Sequence, residues 1–426
     1  MMYLVAAVFV LAYSCIALEH VLKINKSAIA LIAAGLMWTL YAAASPLGIE
    51  AVSAQLTEKL AETAAIVFFL IGAMTIVEVT DSHGGFEVIT SRIKAGRLSS
   101  LLWVVAGITF LLSAILDNMT TTIVMVALMK RLLNDRGQRL FFAGIIVIAA
   151  NAGGAWTPIG DVTTTMLWIG GQITTANIMK TLLLPSLVNL LLPLAVASFG
   201  LKGHVVPPDR LDGDTPLTSP FEKNLMFVLG MGSLMFVPVF KATTHLPPYL
   251  GILLSLGMLW LIGNILHRNK PEKTREPLRL ARALKRIDMA SVVFFIGILL
   301  AVSALSANGM LPALAAWLQA AIGNQGLIVV IIGLISAVVD NIPLVAASMG
   351  MYPLAQFPAD SFIWEFLAYC AGTGGSLLII GSAAGVAAMG QERIEFFWYA
   401  RRIGPLALLG YFGGIACYLA QYSLAH

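Results

Sequence analysis

The chain has 426 residues, of which 59% are hydrophobic and 11% are charged, a composition that excludes an ordinary soluble domain. Its mean hydropathy is +0.88, and its apolar runs reach the roughly 20 residues that span a bilayer. The net charge of +4 arises from lysines and arginines in loops, so it bears on membrane orientation and does not indicate a nucleic-acid partner. We therefore predict an all-α integral membrane protein surrounded by the lipid bilayer.

Apolar segments fill most of the chain, six in each half. No basic residue precedes the first one, so we interpret it as a membrane helix rather than as a signal peptide. Cys15, Cys370 and Cys417 lie inside apolar segments without metal-ligand spacing, which favours buried thiols over disulfides. The predicted segments are 4–18, 27–43, 62–79, 100–133, 140–169, 181–200, 224–240, 249–266, 289–306, 326–352, 362–389 and 403–423.

One polar motif interrupts two of these segments. It reads Ser-Ala-Ile-Leu-Asp-Asn-Met-Thr-Thr at 113–121, and it returns 223 positions later as Ser-Ala-Val-Val-Asp-Asn-Ile-Pro at 336–343. Ionisable side chains inside membrane segments are rare and mark functional sites. Two copies of one such site suggest a transporter that arose by duplication.

The distribution of lysines and arginines predicts the topology. If 100–133 and 326–352 are re-entrant helical hairpins and the other segments cross, 23 of the 26 basic residues lie on one side, which the positive-inside rule identifies as the cytoplasm. The N- and C-termini are then outside, together with Lys59, Lys180 and Lys241. Each half makes an odd number of crossings, so the second copy is inverted relative to the first.

A glycine pair follows each hairpin, at 153–154 and at 374–375. The segments that hold these pairs would be more than about 40 Å long as continuous helices, whereas the hydrocarbon core is about 30 Å thick. We predict that both are unwound in part, the first helped by Thr157-Pro158, although close helix packing would explain the glycines equally well. The predicted organisation is a first repeat at 1–202 (hairpin 100–133, broken helix 140–169), a cytoplasmic linker at 203–223, and an inverted second repeat at 224–426 (hairpin 326–352, broken helix 362–389).

Asp117, Asp161 and Asp340 are the ionisable residues of these interruptions. A charged aspartate at the centre of a membrane helix costs about 2.5–3.5 kcal/mol, and every lysine and arginine is assigned to a loop or a membrane end. The carboxylates must therefore be protonated, hydrogen-bonded to helix ends or paired with an external cation. The predicted cation and proton site adds oxygen donors of the kind that hard cations prefer, namely Ser113, Asn118, Thr120, Thr121, Asn151, Thr157, Ser336, Asn341, Thr373, Ser376 and Ser382.

Structural roles compete with this interpretation. Asp117 or Asn118 could cap the second half of the first hairpin, and Asn341 could cap the corresponding helix with Pro343 in its first turn. An asparagine alone would cap without a charge penalty, so the adjacent aspartates favour a functional role. Secondary candidates, for which an interfacial or solvated position is the simpler explanation, are Glu62, Glu78, Glu365 and His83.

The whole pattern resembles a known family. Two Ser-x-x-x-Asp-Asn hairpin tips, each followed by a Gly-Gly segment and one by Thr-Pro-Ile-Gly-Asp at 157–161, are similar to the NhaD-type sodium/proton antiporters of the ion transporter superfamily. That superfamily also holds arsenite permeases and dicarboxylate carriers. In the dicarboxylate carriers the tips read Ser-Asn-Thr, whereas Asp117 and Asp340 here replace an uncharged serine, which would repel an anion and attract Na⁺ or Li⁺.

The resemblance implies exchange of cytoplasmic Na⁺ or Li⁺ for external H⁺, with no cofactor. It also implies an elevator-like transport unit on a scaffold, in a homodimeric multi-pass protein of the bacterial inner membrane. Asp161 matches the family's Thr-Pro-Ile-Gly-Asp motif, while its counterpart in the second half is Ser382. Whether both halves bind ions therefore stays open.

Two alternatives also stay open. Another member of the same superfamily would carry arsenite or an organic anion, and a substrate preference that does not involve cations would distinguish it. An intramembrane aspartyl protease would also hold two membrane aspartates, but the residues before Asp161 lack the Gly-x-Gly-Asp form that such enzymes show, and twelve segments exceed what they need. We therefore expect a transporter rather than an enzyme.

Overall fold

The computed structural model describes residues 2–17, 19–90, 93, 96–205 and 218–425. These residues form helices and no strand, apart from one isolated bridge between Arg97 and His204. The all-α prediction is confirmed for this part of the chain. The helices, with a 3-10 turn at Glu276–Leu278 between α13 and α14, are α1 Met2–Ala17, α2 Glu19–Leu22, α3 Lys26–Ala44, α4 Ile49–Ser82, α5 Glu87–Thr90, α6 Leu98–Ser113, α7 Asn118–Leu132, α8 Arg136–Gly154, α9 Val162–Ile169, α10 Thr175–Gly200, α11 Pro220–Thr244, α12 Pro248–His267, α13 Glu272–Arg275, α14 Leu280–Ala283, α15 Met289–Ala307, α16 Met310–Ile322, α17 Gln325–Ile335, α18 Asn341–Met351, α19 Phe362–Gly374, α20 Ala383–Glu392, α21 Phe396–Arg402 and α22 Gly404–Ala425.

Several helices are candidates to span a membrane. Among the described residues, six are long and apolar enough by length and composition: α3, α4, α10, α11, α12 and α15. Two further pairs meet the same test together but are bent, α16 with α17 by 113° and α21 with α22 by 51°. A multi-pass membrane protein follows, with up to eight candidate spans.

The start of α4 and the presence of α16 differ from the prediction. α4 begins at Ile49 rather than at residue 62, because polar residues such as Lys59 and Glu62 pair along its first half and extend the helix beyond the apolar run. α16 was not predicted at all, since its 13 residues are too few to span a bilayer. Gly309 and Gly323, both with positive φ, bound it, so the chain can reverse direction at each end.

The four predicted interruptions are present where the motifs lie. α6 ends at Ser113 and α8 at Gly154, and their counterparts α17 and α19 end at Ile335 and Gly374. Each interruption closes with a side chain that accepts a backbone N–H of the helix that follows. These caps are Asp117 for α7, Asp161 for α9, Asp340 for α18 and Ser382 for α20.

Capping by Asp117 is therefore confirmed, whereas the prediction that Asn341 caps its helix is wrong. Asn341 is the first residue of α18, and Asp340 immediately before it supplies the accepting oxygen. Oδ1 of Asp340 accepts the N–H of Ile342 at 3.3 Å, and the positive end of the helix dipole favours a negative charge at that position.

The glycine pairs serve both close packing and helix termination. A Cβ on Gly153 would lie 2.3 Å from the Phe110 carbonyl oxygen, and one on Gly374 would lie 2.1 Å from the Gly333 carbonyl oxygen. Each broken helix therefore packs against the first arm of its own hairpin at backbone contact. The equivalent contacts in both halves are those expected of a duplicated unit.

Most of the described helices pack as two groups, which contact each other through α15 with α18 and through α4 with α9. One group holds α1, α3, α4, α11, α12 and α15; the other holds α6 to α10 and α17 to α22. Within the second group, each helix that begins at an Asp-Asn motif packs on the second part of the broken helix from the other half of the chain, α7 on α20 and α18 on α9. This crossed pairing brings the capped helix starts of both halves close together. Most of the predicted linker at 203–223, residues 206–217, lies outside the described residues.

Candidate cation site

Asp161 is the most buried of the three predicted site aspartates, with 2% of the residue exposed. Its Oδ1 accepts the backbone N–H and the hydroxyl of Thr163, both at 2.8 Å, and its Oδ2 accepts Nδ2 of Asn118 at 2.7 Å. Three donors thus fix this carboxylate without neutralising it. In the described part of the chain, no lysine, arginine or histidine nitrogen lies within 4.0 Å of it.

A chain of amides connects Asp161 to the second half of the protein. Asn118 Nδ2 also donates to Oδ1 of Asn151 at 2.9 Å. Asn151 Nδ2 in turn donates to the hydroxyls of Ser376 at 2.8 Å and Ser382 at 2.9 Å. The first hairpin tip and both broken helices therefore share one hydrogen-bonded network, and all four of these side chains are buried.

Asp117 lies at the start of α7 with a different set of partners. Its Oδ1 accepts the backbone N–H of Thr120 at 2.7 Å, and its Oδ2 accepts the Thr120 hydroxyl at 2.6 Å. Like Asp161, it has no basic side chain within 4.0 Å among the described residues. Both carboxylates line the same cavity of about 210 Å³. Asn118, Thr120, Thr165 and Asn341 also line this cavity.

The other end of this cavity is lined by charged residues from the ends of α4 and α15. They include Glu78, Asp81, Arg286 and Asp288, and Arg286 Nη1 lies 3.4 Å from Oε1 of Glu78. Arg286 belongs to the strongly basic loop that the topology prediction places in the cytoplasm. The cavity thus contains these charged residues as well as the two aspartates.

Other predicted ligands hold the backbone of the interruptions. Ser113 donates to the Ala150 carbonyl, Thr157 to the Ala114 carbonyl, Ser336 to the Gly333 carbonyl and Thr373 to the Tyr369 carbonyl. The Thr121 hydroxyl is buried without a hydrogen-bond partner among the described residues. None of these side chains lines the cavity, so they shape the breaks and do not face the aspartates.

Asp340 does not join the network around Asp161. Its Oδ1 accepts the backbone N–H of Ile342 at 3.3 Å, and its Oδ2 lies 3.5 Å from Nζ of Lys26. The prediction that no basic residue reaches the aspartates is therefore wrong for Asp340. Lys26, counted with the first cytoplasmic loop, is the first residue of α3, and its long side chain carries the ammonium group beyond the helix end.

The secondary carboxylates have three different environments, of which the one for Glu78, beside Arg286 in the cavity, is described above. Glu62 is exposed and pairs with Lys59 at 2.8 Å, as an interfacial residue would. Glu365 is 4% exposed and accepts hydrogen bonds from Asn177 and from the Tyr418 hydroxyl. The interfacial interpretation of Glu365 is therefore wrong, because α10 and α22 cover this part of α19.

The prediction that His83 is solvated is also wrong, since the residue is only 1% exposed. Its Nδ1 lies 2.6 Å from the Val79 carbonyl oxygen and must donate to it, so Nε2 of the neutral ring accepts from Nε2 of His267 at 2.9 Å. Nδ1 of His267 faces Oε1 of Glu222 at 3.6 Å. Burial lowers the pKa of the His83 imidazole.

Sequence reasoning missed two parts of the site. Thr163 fixes Asp161 through its N–H and hydroxyl, and Thr165 lines the cavity. The run of three threonines at 163–165, which begins two residues after Asp161, was a visible signal, because hydroxyl residues in a first helical turn commonly satisfy a capping carboxylate. Lys26 had no comparable signal, since its partner lies 314 positions away.

Comparison with known proteins identifies the family. A model described as citrate transporter (CitMHS) matches residues 9–372. Sodium/proton antiporter 1 of Arabidopsis thaliana is 50% identical over 419 residues, which cover 98% of this chain and 72% of that protein. Sodium/proton antiporter 2 of the same plant is 46% identical over 425 residues, covering 98% and 99% of the two chains.

A bacterial relative agrees with these matches. The Na⁺/H⁺ antiporter NhaD of Vibrio cholerae is 31% identical over 444 residues, covering 98% of this chain and 91% of that protein. The predicted resemblance to NhaD-type proteins is confirmed, and the family and these relatives are transporters rather than enzymes. The chain therefore belongs to the citrate transporter family of the ion transporter superfamily, together with proteins named sodium/proton antiporters.

Proposed function

We propose that this protein exchanges Na⁺ or Li⁺ for H⁺ across the membrane, and that proton and cation compete for Asp117 and Asp161. The observation that carries the proposal is the cavity lined by both aspartates, neither of which has a basic nitrogen within 4.0 Å of its carboxylate among the described residues. Relatives named sodium/proton antiporters support the same activity. Exchange needs no cofactor, because the chemistry is ion binding and proton transfer at carboxylates.

Electrostatics explains why such a site would exchange ions. Leaving an isolated carboxylate charged in a poorly solvated cavity is costly, so each aspartate favours a neutralising partner. A proton on an oxygen atom provides one, and a bound monovalent cation provides another. The two partners exclude each other at the same carboxylate, so loading on one side and release on the other couples their fluxes.

The cation ligands we propose are the carboxylates of Asp117 and Asp161, with oxygens of the surrounding network. Asn118 now presents Nδ2 to Asp161, and reversal of its amide would present Oδ1 to a cation instead. Asn151 would then reverse as well, and the hydroxyls of Ser376 and Ser382 can rotate to donate to it. The network thus offers two hydrogen-bonded arrangements, one for each occupant of the site.

The proposed topology is an inverted repeat with two re-entrant hairpins, with both termini outside and a homodimeric assembly. Crossed packing of α7 on α20 and of α18 on α9 supports the repeat. The group of helices that holds the aspartates would be the transport unit, and the group around α3, α4 and α15 the scaffold. With the basic loops in the cytoplasm, the cavity is the cytoplasmic entrance.

Everted membrane vesicles from cells that lack their own antiporters test the proposal. A respiratory pH gradient is established, and NaCl, LiCl, KCl, arsenite or citrate is added in turn. We expect NaCl or LiCl to dissipate the gradient in vesicles that carry this protein and not in vesicles without it. Uptake of arsenite or citrate with no response to Na⁺ or Li⁺ would instead establish the anion-carrier alternative.

A further inference from the structure

The two halves of the protein carry different charges at equivalent positions. We define the first half-site as Asp117 and Asp161, and the second half-site as Asp340 and Ser382, which cap the corresponding helices. The first half-site has two carboxylates and no basic partner within 4.0 Å in the described part of the chain. In the second, Ser382 is uncharged and Asp340 is paired with Lys26.

The ammonium group of Lys26 is held at Asp340 by its surroundings. Asn25 caps α3 by accepting the N–H of Ser27 at 2.8 Å, and the Ser27 hydroxyl donates to the Ala290 carbonyl at 2.7 Å, which ties the start of α3 to α15. Nζ of Lys26 also lies 4.6 Å from the centroid of the Phe294 ring, a position at which the ring face attracts a cation. The side chain is 30% exposed.

The second half-site opens into a separate cavity of about 550 Å³, lined by Lys26, Asp340 and Ser382. Four residues line both this cavity and the one that holds Asp117 and Asp161, and they form part of the wall between the two: Met119, Asp288, Ser291 and Ala383. A monovalent cation that entered the second cavity would meet the Lys26 ammonium at the carboxylate. The single carboxylate of Asp340 cannot neutralise both.

We propose that Lys26 is a tethered cation that occupies the second half-site, so that transported cations load at the first half-site only. This inference rests on the proposed exchange function and adds to it the number of cations carried in each cycle. The second half-site keeps the capped helix geometry of the duplication but has zero net charge. Lys26 is then a specificity-determining residue, because it excludes a second ion.

Proteoliposomes with the full-length protein test this assignment, and Lys26→Gln is the critical variant. The rate of Na⁺-driven H⁺ movement is measured against Na⁺ concentration, and the Na⁺ to H⁺ coupling ratio is obtained from the membrane potential at which net flux is zero. A Hill coefficient is bounded by the number of sites, so we expect about 1 in the wild type and a value rising towards about 2 in the variant. The coupling ratio should change with it.

Three controls make the outcome decisive. Lys23→Gln removes another lysine that lines the same cavity and should leave the ratio unchanged. Lys26→Arg keeps the positive charge and should also keep the ratio. The double variant Lys26→Gln with Asp340→Asn removes both charges, so its coupling ratio should equal that of the wild type, whatever its rate of transport. It also covers the case in which Lys26→Gln alone does not fold.

The results separate this inference from the proposed function. If the wild type shows no Na⁺-driven or Li⁺-driven H⁺ movement, the exchange function itself is wrong. If the wild type exchanges ions and Lys26→Gln keeps both its Hill coefficient and its coupling ratio, only the role of Lys26 is wrong. A coupling ratio in the double variant that differs from that of the wild type would likewise overturn it.

Discussion

Asp161→Asn is the substitution whose consequences the structure defines most closely. The new amide oxygen can remain at the position of Oδ1, where it still accepts the N–H and hydroxyl of Thr163. The amide nitrogen then replaces Oδ2 and faces Nδ2 of Asn118, which lies 2.7 Å from Oδ2. Two donors would oppose each other unless the Asn118 amide reverses.

The magnitudes separate an effect on folding from an effect on transport. One hydrogen bond to a charged group is lost, worth about 1.5–3 kcal/mol, while removal of a membrane charge regains about 2.5–3.5 kcal/mol. These terms nearly cancel, so the variant should fold. Truncating one partner of a buried charge pair costs about 2–5 kcal/mol, which corresponds to at least about a 30-fold weaker affinity for Na⁺.

The assay is the Na⁺ concentration that gives half-maximal H⁺ movement in proteoliposomes, together with the melting temperature in detergent. Asp360→Asn is the matched control, because Asp360 accepts the N–H and hydroxyl of Thr174 at 2.6 and 2.7 Å in the same manner but lies outside the cavity. It should leave the Na⁺ requirement unchanged. If Asp161→Asn also leaves the Na⁺ requirement unchanged, Asp161 is a helix cap and not a ligand.

Three further predictions concern other parts of the molecule. Asp117→Asn should preserve folding, because the amide oxygen can still accept the N–H of Thr120, and protein yield checks this. The variant should abolish exchange, because an amide does not titrate, and Na⁺-driven H⁺ movement checks that. Burial lowers the pKa of the His83 imidazole in the folded protein. Below the ordinary histidine pKa of about 6.5, the unfolded chain therefore binds a proton at His83 that the folded protein does not bind. The free energy of unfolding should then fall as the pH drops through about 6.5. Melting temperatures measured between about pH 8 and about pH 5 should fall less for His83→Asn than for the wild type, and equal slopes would contradict a neutral buried His83. In a cysteine-free background, Arg136→Cys should label from the cytoplasm and Ala359→Cys from outside; labelling of both from one side would contradict the inverted repeat.

The interruptions of the helices were predictable because local chemistry produces them. A glycine pair, a proline after Thr157 and an aspartate within an apolar run each disfavour a continuous helix or favour a new helix start. The duplication added a second, independent instance of each signal. The same local rules identified Asp117 as a cap or ligand and Asp161 as a ligand, and the structure shows that both cap a helix.

The partners of the charged residues were not predictable in the same way, because long-range packing determines them. Lys26 reaches Asp340 across 314 positions, and His83 meets His267 across 184. Neither pairing leaves a periodic or compositional trace. Glu365 looked interfacial because it lies near the end of its segment, but tertiary packing buries it next to Tyr418.

The most direct test of the central claim is a two-ion flux measurement on the purified protein in proteoliposomes. Uptake of radioactive sodium is followed while a pH-sensitive dye reports the interior. We predict that an outward H⁺ gradient drives Na⁺ or Li⁺ into the vesicles, that an imposed Na⁺ gradient moves H⁺ the opposite way, and that both fluxes are lost in Asp117→Asn. Sodium uptake without proton movement, or citrate uptake without either, would contradict cation and proton exchange at these aspartates.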